Sequence, residues 1–222
     1  MPPIIISLEG NIGSGKTTLF NQLWTRFASY DNVTFLQEPI NEWNQVTDKD
    51  GVTILEKYYG DQQKYAFSFQ MMAFTSRLAA LRAALKKPGC DVIISERSLC
   101  TDKEVFAKML YDDGKLEEVE YKIYQNCFTE FIGEQPSIYY VYLKTDPLVS
   151  FERIKRRLRP GEIIPLPYLT NCDKYHDNWL QNQMKDRLLI LDANADLRLE
   201  PEVVHDWLSQ VEKFIFYCER RI

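Results

Sequence analysis

Gly10-Asn11-Ile12-Gly13-Ser14-Gly15-Lys16-Thr17-Thr18 follows almost directly on the apolar run Ile4-Ile5-Ile6-Ser7-Leu8. The string has the spacing Gly-x-x-x-x-Gly-Lys-Thr, and its flanks decide what it means. A buried strand that breaks on glycine and restarts as a helix turns successive backbone N–H groups inward. They and the helix N-terminus then face an anion. Lys16 reaches the outer phosphates of a nucleoside triphosphate, and the Thr17 hydroxyl reaches a Mg²⁺ ion. Gly10, Asn11, Gly13, Ser14, Gly15, Lys16, Thr17 and Thr18 are therefore the candidate phosphate-loop residues. The competing reading, a plain glycine-serine turn, leaves the fit of both flanks unexplained.

Working outward, four more apolar stretches resemble the first: Val33–Gln37, Val92–Ser95, Ile138–Leu143 and Leu188–Leu191. None alternates cleanly, as expected of parallel strands covered on both faces. Helical patterns fill the gaps, at Lys16 to about Ala28, Gln62 to about Lys86, Leu116–Ile132, Pro147–Leu158, Tyr168–Asn182 and Pro201–Tyr217. Such alternation predicts an α/β fold, a doubly wound parallel sheet with helices on both faces. Asn44–Asp61 is polar and carries Asp48-Lys49-Asp50-Gly51, which reads as a surface excursion over the sheet edge. Asp112-Asp113-Gly114 and Pro160-Gly161 mark two more loops. No linker or repeat divides the chain, so residues 1–222 are expected to form one domain.

The 222 residues are 45% hydrophobic and 27% charged, ordinary for an enzyme with a sizeable core. A net charge of −5 argues against nucleic acid as the main partner. No apolar run has the length of a membrane span, and with the first strand beginning by Ile4 no signal or transit peptide is expected, unless the chain is already processed. The five cysteines are scattered, with no Cys-x-x-Cys pair and only His176 and His205 beside them. Reduced thiols are the simpler reading than a zinc site. The expected setting is cytoplasmic, without a membrane.

The chemistry gathers where strands end. The second strand runs into Glu38-Pro39 and then Trp43, and the third into Glu96-Arg97-Ser98 and then Asp102. The fifth ends at Asp192, which reads as a turn or cap residue. Phosphoryl transfer to a hydroxyl calls for a carboxylate at the proton, a second acid near Mg²⁺, and cations on the moving phosphoryl group. The run Arg153-Ile154-Lys155-Arg156-Arg157-Leu158-Arg159 supplies the cations, with Arg153 and Arg157 one turn apart on one helix face. A solvated helix end or a nucleic-acid patch is the alternative for that run. Gln70 and Arg77 lie seven residues apart on one face of an aromatic and methionine-rich helix.

Glu9 to Thr17, Glu38-Pro39, Trp43, Phe69-Gln70, Arg77, Glu96-Arg97-Ser98 and the arginine run together resemble the deoxyribonucleoside kinase family, over nearly the whole chain. The resemblance implies a five-stranded parallel sheet of the P-loop NTPase type with an arginine-rich lid at about residues 153–166. It implies 5′-phosphorylation of a deoxynucleoside by ATP or another nucleoside triphosphate with Mg²⁺, in nucleotide salvage. On this reading Glu38 resembles the general base and Arg97 its electrostatic partner, while Thr17 and Glu96 resemble the metal pair. Tyr59 and Glu162 match the residues on the sugar 3′-hydroxyl, Trp43, Phe69 and Phe106 the walls of the base slot, and Gln70 a contact to the base edge. Arg153, Arg157, Arg159 and Asp196 fall on the donor side. A homodimer through the Gln62–Lys86 and Leu116–Ile132 helices is also implied.

Arg77, Asp102 and the small Ala73 resemble the deoxycytidine and purine members rather than the thymidine-preferring ones. A carboxylate only accepts, which suits an exocyclic amino group, and a paired guanidinium crowds a thymine methyl. The donor-base loop departs from the family's frequent Glu-Asp-Phe, reading Ala195-Asp196-Leu197, so no aromatic ring stacks there. A thymidylate-type monophosphate kinase would need a basic residue in place of Glu38. A silent structural subunit of the same fold would be expected to have lost Lys16, Glu38 or the lid arginines.

Overall fold

β1 (Ile4–Glu9) lies at the centre of a parallel sheet formed with β2 (Val33–Leu36), β3 (Val92–Glu96), β4 (Ile138–Lys144) and β5 (Leu188–Asp192), in the order β2-β3-β1-β4-β5. The computed structural model describes residues 2–132, 136–157, 159, 162–183 and 185–220. Each strand matches its predicted span to within one residue. Ile4, Ile6 and Leu8 enter one core and Ile5 the other, which is why β1 shows no polar face in the sequence.

α1 (Lys16–Arg26) and α10 (Glu202–Glu219) cover the first face through Leu19, Phe20, Leu23, Trp207, Val211 and Ile215. α4 (Gln62–Leu85) and α7 (Glu118–Ile132) cover the second, packing Phe69, Phe74 and Tyr124 against Ile5 and Ile93. α8 (Pro147–Arg157) and α9 (Leu166–Leu180) follow β4, and α9 brings Leu180 onto Tyr140 and Tyr142. The predicted end of α8 at Leu158, and the Pro160-Gly161 loop, lie outside the described residues. Among the described residues no helix is long and apolar enough to cross a membrane.

Two stretches differ from the sequence reading. Asn44–Asp61 is not merely a surface excursion. After a turn of helix, α2 (Ile40–Trp43), it contains α3 (Ile54–Gly60), which buries Leu55 and Tyr58 against α4. A capping box starts α3: Thr53 Oγ1 accepts from the Glu56 N–H, and the Glu56 carboxylate accepts from the Thr53 N–H. The polar residues that suggested a loop belong to the cap and the turn before it. The second stretch is the helical run after β3, made of α5 (Leu99–Thr101), a π-helical turn at Asp102–Ala107 and α6 (Lys108–Asp112). Widened turns of this kind are frequent at functional sites, and this one carries both Asp102 and Phe106.

Strand register sets the site. Leu8 pairs with Glu96, and Leu36 with Ser95, so the loops after β1, β2 and β3 leave the sheet at one edge. β1 is followed by crossovers toward β2 and β3, whereas β4 and β5 lie on its other side. The carboxyl end of β1 is therefore the point where strand order reverses, the position at which open α/β sheets bind ligands.

Candidate active site

A cleft of about 560 Å³ opens at that point. Its size is ordinary for a small-molecule site. Glycine geometry forms one end. Gly13 has φ of 80°, and a Cβ there would stand 2.7 Å from the Ser150 carbonyl oxygen. Gly15, with φ of 100°, precedes α1 without any side-chain cap on the helix N–H groups. The first turn of α1 is thus left to face an anion. Gly13, Gly15, Lys16, Thr17 and Thr18 line the cleft.

Gly10, Asn11 and Ser14 stand behind that wall. The Gly10 carbonyl accepts from Lys16 Nζ at 3.1 Å and from Arg97 Nη1 at 2.9 Å. Asn11 turns its amide to the Leu169 carbonyl on α9 at 2.9 Å, while Ser14 is buried, its Oγ 3.4 Å from Lys16 Nζ. These three shape the loop rather than face the cavity. Burial, then Arg97, pull the Lys16 ammonium down to about 7, against the attraction of Glu38, Glu96 and Glu9.

At the middle of the cleft, residues far apart in sequence converge on Glu38. Its Oε1 receives Arg77 Nη2 at 3.1 Å and Arg97 Nε at 3.3 Å. Burial pushes the Glu38 carboxyl up, but Arg97, Arg77 and Lys16 outweigh it and hold it below its usual range. Arg97 adopts φ of 68°, a left-handed conformation rare for a side-chain-bearing residue. Beside it the Thr17 hydroxyl donates to Glu96 Oε1 at 2.5 Å. Behind all of them Glu9, fully buried, accepts from Ser98 N at 3.1 Å and Ser98 Oγ at 2.8 Å, tying the end of β1 to the turn after β3.

The far end is an aromatic slot. Trp43 meets Phe69 edge to face with centroids 5.3 Å apart, and Tyr58 stacks on Phe69 at 4.5 Å. Tyr59, Phe106 and Ala73 also line it. Gln70 is 2% exposed, and its Oε1 has no hydrogen-bond partner, so a buried acceptor faces the slot unsatisfied. The Arg77–Asp102 pair, at 3.0 Å, is buried rather than a surface bridge. Arg77 also donates to the Glu96 carbonyl at 3.0 Å. Against the pull of burial, Asp102 and Glu38 hold its guanidinium charged.

The basic run reaches the glycine-loop end of the cleft. Arg153 donates to the Ser14 carbonyl at 3.3 Å and to the Ala195 carbonyl at 2.7 Å, bridging the phosphate loop and the loop after β5. Arg157 and Arg159 both pair with Glu162, at 2.5 and 3.5 Å. So Arg153 and Arg157, one turn apart on one helix face, hold different partners here. Asp196 pairs with Arg156 at 3.1 Å and with Arg198, whose hydrogen bonds keep its carboxyl well below the usual range. Asp192, by contrast, accepts from the Asn194 N–H at 3.0 Å, the turn role expected of it.

The sequence reading missed Tyr58, Tyr168, Arg156 and Arg198 in the lining. Tyr58 was hidden with α3, and its hydroxyl meets that of Tyr168 at 2.8 Å. Arg156 was legible within the basic run, and it lines the cleft with its guanidinium on Asp196. His176, buried beneath Arg97, carried no signal in its surroundings.

Residues 6–216 match the family model described as deoxynucleoside kinase. The chain is 34% identical over 197 residues to a fowlpox virus protein named "Probable deoxycytidine kinase", covering 86% of this chain and 78% of that one. It is 29% identical over 240 residues to deoxycytidine kinase 2 of Gallus gallus, covering 95% and 89%. It is also 27% identical over 238 residues to the mitochondrial deoxyguanosine kinase of Xenopus laevis, again covering 95% and 89%.

Proposed function

The chain belongs to the deoxynucleoside kinase family, and from that premise we propose that it transfers the γ-phosphoryl group of ATP, or of another nucleoside triphosphate, to the 5′-hydroxyl of a deoxyribonucleoside. The observation that carries this reading is the Glu38–Arg97–Arg77 junction, which lies between a phosphate loop and an aromatic slot in one cleft. On this reading the triphosphate lies along the Gly13–Thr18 backbone with Lys16 on its outer phosphates, and the base enters between Trp43, Phe69 and Phe106. Tyr59 and Glu162 hold the sugar 3′-hydroxyl. Gln70, whose amide oxygen is otherwise unpaired, takes a donor from the base edge.

Glu38 then accepts a hydrogen bond from the 5′-hydroxyl and takes its proton. Its lowered basicity suits a loose transition state, in which the attacking oxygen gives up its proton late. Arg97 and the lid residues Arg153, Arg157 and Arg159 meet charge as it builds on the transferring oxygens, which lowers the barrier selectively. The Thr17 hydroxyl and Glu96 carboxylate are hard oxygen donors side by side, and they fit Mg²⁺. When bound, that ion would neutralise charge on the phosphate oxygens. Asp102 favours a base with an amino group, so deoxycytidine and purine deoxynucleosides should be better acceptors than thymidine, in keeping with the names of the relatives.

The same reading makes residues 1–222 one kinase domain with its lid near 153–166, working as a cytoplasmic homodimer in nucleotide salvage, without nucleic-acid or membrane partners. A coupled assay of ADP release over a panel of deoxynucleosides tests it. Acceptor-dependent release with deoxycytidine, deoxyadenosine or deoxyguanosine is expected. Release stimulated only by nucleoside monophosphates would overturn it.

A further inference from the structure

His176 lies on α9, fully buried and outside the lining of the cleft, yet it touches the reacting centre from behind. Its Nδ1 stands 2.7 Å from the Cys172 carbonyl oxygen, one helical turn earlier. A carbonyl oxygen only accepts, so Nδ1 carries the ring proton and Nε2 keeps a free lone pair. That lone pair faces Arg97 Nη1 at 3.4 Å, and a guanidinium only donates. Two aromatic rings hold the imidazole in this orientation. Tyr142 lies parallel to it, with planes 5° apart, and Phe106 stands edge-on with centroids 6.3 Å away. Phe106 is also 5.0 Å from the Arg97 guanidinium carbon.

We propose that His176 is a positioning residue for phosphoryl transfer: its neutral Nε2 holds the Arg97 guanidinium in line with Glu38 and with the phosphate-loop carbonyl of Gly10. The proposal rests on the assignment of Arg97 to the reacting centre. Arg97 leaves β3 in a strained left-handed conformation, so its aim depends on contacts made at the far end of the side chain. There the Gly10 carbonyl and Glu38 take two N–H groups, and His176 supplies a third point. A neutral acceptor fits the task better than a carboxylate, which would compete with Glu38 for the same cation. An apolar residue would leave the guanidinium free to swing. Misplacement of about 1 Å at a reacting group is enough to cost about 10²-fold in rate. Burial, and then the Arg97 charge, keep the imidazole far below its ordinary basicity, so the lone pair persists at working pH.

Two amide substitutions separate positioning from packing. In His176→Gln the amide oxygen can occupy the place of Nε2 and accept from Arg97. In His176→Asn the side chain can still donate to the Cys172 carbonyl but ends short of Arg97. We expect kcat within about threefold of wild type for the glutamine variant and a loss of about tenfold or more for asparagine, with the same nucleoside KM and melting temperature in both. In an Arg97→Lys background the difference should vanish. Equal kcat in the two amide variants would overturn the proposal. An Arg97→Lys enzyme with full kcat would instead overturn the role of Arg97 itself. If neither His176 variant folds, nitrogen NMR of the wild-type protein decides: a neutral ring with the proton on Nδ1 is expected, and an Nε2–H or doubly protonated ring at neutral pH overturns it.

Discussion

Two guanidiniums reach the same oxygen of Glu38, at 3.1 and 3.3 Å, and they keep the carboxylate ionised in a mostly buried position. Substituting the isosteric amide removes the proton acceptor and leaves both arginines with a neutral neighbour. Glu38→Gln should bind nucleoside and lose turnover by about 10²–10⁴-fold, the usual range for general acid–base work. Steady-state kcat checks this, and near-normal turnover would take Glu38 out of the chemistry. Lys16 offers a test with pH. Its ammonium is lowered to about 7 in the free protein, from an ordinary 10.5, because burial and Arg97 disfavour the charge. Between those values the unfolded chain binds the extra proton, so this group's contribution to stability rises with pH across that window. A bound triphosphate reverses the local field and restores the proton. Donor binding at about pH 8 should therefore take up close to one proton, and at about pH 6 almost none. Calorimetry in buffers of different ionisation enthalpy reads the uptake, which Lys16→Ala should abolish.

α4 and the π-helical turn after β3 meet through Arg77 and Asp102, and the meeting is not symmetrical. Asp102 accepts from Arg77 Nε at 3.0 Å, whereas Arg77 has Glu38 and the Glu96 carbonyl besides. Removing Arg77 strands a buried carboxylate, at a cost of about 3–5 kcal/mol. Removing Asp102 leaves the guanidinium with two other partners. Thermal unfolding should find Arg77→Met clearly less stable than Asp102→Ala. The link to Glu38 also means that base choice and turnover share a residue. In Arg77→Met with Asp102→Ala, kcat/KM for thymidine relative to deoxycytidine should rise while absolute kcat falls. A ratio indifferent to the double change would remove this pair from base selection.

Across the molecule, α7 buries Tyr121 and Tyr124 but presents Val119, Ile123 and Phe131 at 65%, 44% and 49% exposure, apolar side chains left uncovered on its outer side. If this side joins two copies, Ile123→Lys should give a monomer by sedimentation, with wild-type protein sedimenting as a dimer. Wild-type monomer would end the dimer reading without touching the kinase one. The sequence alone determined the five strands, the phosphate loop and the family. Burial on both faces writes strands as unbroken apolar runs, and a loop that wraps phosphate is built from neighbours in the chain. Only the tertiary structure decided the rest. α3 reads as polar because its cap and preceding turn outnumber its two buried residues. The arginines that set Glu38's charge arrive from α4 and from the turn after β3, and His176 reaches Arg97 from α9. Contacts between residues so far apart leave no period or spacing in the chain, and a side chain's charge state depends on the field of groups that only folding brings together.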